Sequence, residues 1–203
     1  MKPSTAVRHL AEMANVATDR LRLRDTDIGW PLEELWVTGD LLEGRSELET
    51  GSVVLVLDLP PAELPWLATH PAGEWVGAEL RLGKRPFLWS YRPALWPVWN
   101  HRHRRVARVW SARSGTEGAV LDALGARRVD DALIVEPSTD ELVDQLTEEV
   151  DASAQHLRKV LAAYWDPDWR RGHKGVDTSP EDQLWRAAQA AVEIGDALGE
   201  LRR

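Results

Sequence analysis

Apolar residues recur at helical spacing near the start of the chain, at Val7, Leu10, Ala11, Ala14, Ala17 and Leu21. Ser4 and Thr5 are good N-caps, so the pattern predicts a first helix over about residues 5–23. Residues 25–31 are turn-like. Residues 32–39 then read as a short strand ending at Gly39. Residues 52–59, Ser-Val-Val-Leu-Val-Leu-Asp-Leu, are β-branched and apolar almost throughout, which predicts a central strand covered on both faces. The Pro-broken stretch 60–71 leaves room for one or two helical turns at most.

Downstream, the pattern predicts a helix over 74–82, strands over 85–93, 106–112 and 131–137, and a short helix over 116–126. Ser138 or Thr139 followed by Glu141 is a capping pattern. It opens a long helix whose apolar positions run from Leu142 through Leu161. Residues 166–180 read as loop, and Pro180 opens a final helix to about Leu201. The expected fold class is therefore α/β or α+β: a mixed sheet of four to five strands, an N-terminal helix and a C-terminal pair of long helices. The division is expected at 1–137 for the α/β unit and 138–203 for a helical hairpin packed on the same core.

Composition narrows the chemistry. The 203-residue chain has no Cys, which removes disulfide frameworks, thiolate nucleophiles and Cys-based metal sites. No apolar run reaches membrane-spanning length and the N-terminus lacks the apolar core of a signal peptide, so a soluble cytoplasmic protein is expected. Arg outnumbers Lys 21 to four, a bias of GC-rich bacterial genomes such as those of actinobacteria. The net charge of −8 is unevenly spread. Residues 81–128 hold 11 Lys/Arg against two acids, and residues 129–151 hold nine acids and no Lys/Arg. The two segments could complement each other within the fold, or the basic one could face an anionic partner.

The stretch 37–60 has a strand ending in Gly39, then Asp40, a second Gly at Gly44 and a second apolar strand. This resembles the nucleotidyltransferase superfamily in its small antitoxin-like or aminoglycoside-transferase form, over about 60 residues. The resemblance implies metal-held nucleotidyl transfer. Its Asp-x-Asp pair would fall on Gly51 and Val53, where this sequence has no carboxylate. Two carboxylates at i and i+2 share one face of a strand, which suits them to converge on Mg²⁺. Asp40 and Asp58 are the only weak catalytic candidates. Asp58 lies five residues past the expected position, about 17 Å along a strand. A non-catalytic protein with no cofactor or metal is the expectation.

Other constellations suggest binding. Residues 99–110 set His101, His103, Arg102, Arg104, Arg105 and Arg108 between two Trp, which suits phosphate contact and base stacking. Arg170, His173 and Lys174 could form an anion site near the last helix start. Of the 11 Trp, Trp30, Trp36, Trp89 and Trp110 are expected in the core. Trp66, Trp75, Trp96 and Trp99 could rim a pocket, and Trp165, Trp169 and Trp185 could lock the 166–180 loop to the last helix. Leu184, Ala187, Ala188, Ala191, Ile194, Gly195 and Leu198 give the last helix small residues for close contact with its neighbour or with a second subunit. The function expected is that of a cytoplasmic interaction protein with a degenerate nucleotidyltransferase-like fold. It would act through a protein partner or self-association by the C-terminal helices. A nucleotide- and Mg-dependent transferase and a nucleic-acid binder using residues 99–110 are the alternatives.

Overall fold

A computed structural model describes residues 1–27, 29–175 and 179–203. Helix α1 (Pro3–Arg20) leads into β1 (Leu32–Thr38), β2 (Gly51–Leu57), α2 (Pro71–Glu79) and β3 (Phe87–Pro93). Then follow β4 (Val106–Ser111), β5 (Gly115–Thr116), α3 (Gly118–Gly125), α4 (Thr139–Ala163), α5 (Pro167–Gly172) and α6 (Pro180–Leu201). The five strands form one mixed sheet in the order β3-β2-β1-β4-β5. β1 is antiparallel to both β2 and β4, and β3 is parallel to β2 at one edge. The class is the one the hydrophobic pattern predicts.

β2 is buried on both faces because two layers cover it. On one face Val53, Leu55, Leu57 and Phe87 pack against α1, α2 and α3 through Leu10, Met13, Val76 and Leu124. On the other, Val54, Val56, Val98 and Val106 form a smaller cluster. A third cluster joins α4 and α6 through Leu142, Leu146, Ala190 and Ile194, with Trp66 from the 60–70 segment inserted between. α4 starts with the expected capping box, Ser138 and Glu141 bonding reciprocally. Ser179 caps α6 by accepting from the Asp182 N–H.

Some expectations fail locally. Residues 131–137 form no strand; Val135 makes only an isolated bridge to Val106. Leu133 takes a left-handed φ of 46°, which interrupts extended backbone. Residues 116–117 join β5 and the helix caps, so α3 begins only at Gly118. Within the predicted 166–180 loop, Asp166 caps the short helix α5 by accepting from the N–H groups of Asp168 and Trp169. Residues 176–178 of that loop, and position 28 of the predicted 25–31 turn, lie outside the described residues. Trp30 and Trp110 are core residues, but Trp89 is 42% exposed because β3 is an edge strand. Trp165 and Trp185 are exposed rather than locked against the loop; among the described residues Trp169 stacks on His173.

Candidate functional site

The turn after β1 is built on Gly39, whose φ of +74° suits a residue without Cβ. Asp40 follows and lies 3.4 Å from the Arg45 guanidinium. Gly44 sits in the same loop and its carbonyl accepts from Arg127. Asp58 is at the opposite end of β2, about 20 Å away along the strand from Ser52, the partner of Thr38. The structure does not bring Asp40 and Asp58 together.

Gly51 and Val53 are core positions. A Cβ on Gly51 would come 2.3 Å from the Phe87 ring. Val53 is 1% exposed, and its register partner on β3 is Trp89. Side chains here meet rings rather than an open metal site. Among the described residues, no three His, Asp or Glu side chains gather as metal ligands.

The basic segment is largely engaged within the fold. Arg102 pairs with Glu193 of α6, Arg105 with Glu136, and Arg108 with both Glu34 and Glu117 while lying over the Trp36 ring. Arg104 is exposed. These arginines do not form one free cationic stripe. The predicted anion site is also occupied from within. Arg170 donates to Glu181 in the first turn of α6, His173 contacts the Trp169 carbonyl, and Lys174 is exposed.

The sheet meets the helical hairpin through a buried polar seam. Ser90 and Arg92 point to the hairpin side of β3, as strand alternation requires. Arg92 donates from both terminal nitrogens to Glu149 of α4, at 2.9 and 2.7 Å, and also to the carbonyls of Pro97 and Trp99. Gln145 donates to Glu149 as well. His103 and the Ser90 hydroxyl are 2.9 Å apart. Both His101 and His103 meet the Trp66 ring edge-on. Burial pushes the His103 imidazole down to about 4, and nearby Arg92 and His101 push the same way. Burial also lowers His101, against the pull of Glu149 and Glu193. Glu193 is held at about 2: burial alone would raise it, but hydrogen bonds from Trp66, Arg102 and Gln189 outweigh that. His101 and His103 of the basic segment are thus packing groups of the seam.

A concave surface with mixed chemistry lies beside this seam. A cleft of about 350 Å³ runs along the free edge of β3, between α2, the 67–69 segment and α6. Its walls include Leu88, Trp89, Tyr91, Thr69, Glu74 and Arg186. Glycines shape it, since a Cβ on Gly73 of α2 would come 3.0 Å from the Tyr91 ring. The Trp89 indole donates to the Tyr91 hydroxyl at 3.1 Å. Burial pushes the Tyr91 phenol up to about 12; the Trp89 bond and Arg186 oppose the rise and Glu74 adds to it. Leu67, on the rim, holds a left-handed φ of 59°, a strained state for a residue with a branched side chain.

The family model for DUF7711, a domain of unknown function, matches residues 1–200. The chain belongs to this family. No curated protein and no solved structure matches it. In this DUF7711 member the cleft is not legible in the sequence because Trp89 reads as strand core and the other walls come from distant segments. The Arg92–Glu149 pair did leave a signal. Glu149 falls on the same helix face as Leu142, Leu146, Ser153 and Val160, where an acid calls for a buried partner.

Proposed function

We propose that this protein is a non-catalytic, cytoplasmic bacterial binding protein on a degenerate nucleotidyltransferase-like sheet, and that the β3-edge cleft holds its ligand. The observation that carries this reading is the Phe87 ring seated where a carboxylate on position 51 would have to stand. Nucleotidyl transfer needs hard oxygen ligands converging on a divalent cation. The β3-edge cleft offers different chemistry: an aromatic wall, an exposed Leu88, and a guanidinium beside a buried phenol. Ligand clefts combine an apolar lining with a few placed polar groups in this way. The ligand class that fits is a small molecule with one carboxylate, for Arg186, and an apolar body, for Leu88 and Trp89.

The test is an amide chemical-shift screen with phenylacetate, phenylpropionate and indole-3-acetate as probes. Shifts are expected at Thr69, Leu88–Tyr91 and Arg186, and Arg186→Ala should remove them. Shifts with Mg²⁺ and nucleoside triphosphate around Gly39–Leu41, together with a raised melting temperature, would favour the transferase reading instead.

A further inference from the structure

We infer that α6 pairs with α6 of a second copy of this chain, antiparallel about a two-fold axis at Val192. The inner face of α6, with Ala187, Ala190, Ile194 and Leu198, is buried by the fold. The outer face carries apolar side chains too, beside exposed Asp196. Trp185 is 62% exposed and Val192 61% exposed, with half-buried Ala188 between them and exposed Gly195 and Gly199 beyond. Among the described residues, nothing lies within 4 Å of a Cβ added to either glycine. Positions 185, 188, 192, 195 and 199 alternate steps of three and four, the spacing of a helix-pairing seam. A surface helix normally turns polar residues outward, and a contiguous exposed apolar stripe marks an interaction surface.

Three positions of the stripe, Trp185, Val192 and Gly199, map onto one another in one orientation. With the axis at Val192, residues at equal steps before and after it face each other across a two-fold contact. Trp185 then meets Gly199 of the second copy, the largest side chain against the smallest. Glu181 meets Arg203 of the second copy, so opposite charges meet at both ends of the pair. Glu181 engages Arg170 and Tyr164 through Oε1, which leaves Oε2 for this contact. The helix dipoles also oppose in this arrangement. Parallel pairing would stack Trp185 on Trp185 and set Glu181 against Glu181 and Arg203 against Arg203. Exposed Trp165 lies at the Trp185 end, next to Tyr164, which bonds Glu181, and extends the apolar surface there. A seam about 33 Å long falls at the small end of stable interfaces, so the dimer should dissociate in the micromolar range.

This inference rests on the α6 face alone and not on the cleft. Sedimentation velocity of the full chain from about 1 to about 200 μM, the range suited to a small interface, should show reversible monomer–dimer exchange. Trp185→Ala and Gly199→Leu should each weaken dimerisation at least ~10-fold with the fold intact by circular dichroism. Because the chain has no Cys, engineered thiols report the orientation. Val192→Cys should form a disulfide dimer; Ala188→Cys alone should not, but mixed with Asp196→Cys it should. A monomer at every concentration would overturn the inference. So would a dimer indifferent to both interface variants, or crosslinking of Ala188→Cys to itself.

Discussion

Arg92 of β3 and Glu149 of α4 form a two-point ion pair in which the side chains are 1% and 0% exposed. Two charges this deep are stable only as a pair, with their remaining hydrogen-bonding groups satisfied. Here Pro97, Trp99 and Gln145 provide that satisfaction. Removing one member strands the other. Arg92→Ala or Glu149→Ala should each cost about 3–5 kcal/mol in urea denaturation. The double variant Arg92→Met/Glu149→Leu should cost much less than the sum of the two single changes, since no uncompensated charge remains.

Stability should depend on pH in two successive windows that overlap only between 4 and 4.5. His103 is held at about 4 in the folded chain, against 6.5 as its ordinary value. Between those values the unfolded chain binds more protons, so stability falls as pH falls from 6.5 towards 4. The full gap corresponds to about 3 kcal/mol, and His101, also lowered, acts in the same direction. Glu193, held at about 2 against 4.5, contributes stability that is present above 4.5 and lost as pH falls from there to 2. Urea titrations across pH 7 to 3 should therefore show two limbs. His103→Gln should flatten the upper one and leave the lower one in place.

Trp66 joins the two layers by filling the hairpin core and donating to Glu193 at 3.0 Å. Trp66→Phe keeps a ring but removes a hydrogen bond to a charged group, a loss of about 1.5–3 kcal/mol. Trp66→Ala should cost about 3–5 kcal/mol, because it also opens a cavity. In the Phe variant the lower pH limb should move upward, since Glu193 loses its largest downward pull. Guanidinium melts at several pH values would separate these effects.

The elements of this fold were legible where pattern and chemistry agree. Val53, Leu55 and Leu57 mark a strand, and Ser138 with Glu141 marks a helix start, from local spacing alone. What stayed hidden depends on which strand lies at the edge. Trp89 has the composition of a core residue, yet the sheet order leaves it beside solvent. The partners of Arg102, Arg105 and Arg108 were hidden for the same reason. Glu193, Glu136 and Glu34 come from distant segments that no local window contains, and Glu117, nine residues from Arg108, is brought to it by the β4–β5 turn. Left-handed Leu133 is a backbone state that apolar composition does not announce.

The Gly51–Phe87 contact makes the strongest test of the site. The Phe87 ring occupies the space that a side chain at 51 would need, with a nearest approach of 2.3 Å for an added Cβ. Gly51→Ala should therefore destabilise by about 1–3 kcal/mol, the usual cost of overpacking. Phe87→Ala should cost about 3–5 kcal/mol by itself. Combining the two should cost less than their sum, because each relieves the other's defect. Writing the missing pair back in, with Gly51→Asp and Val53→Asp, puts two carboxylates into an apolar layer beside Phe87 and Trp89. Burying unpaired carboxylates is costly, so this variant should melt well below the parent, and Mg²⁺ should not restore it. A melting temperature that climbs with Mg²⁺ in that variant would mean the turn at Gly39 still frames a cation site, and that only the two acids had been lost.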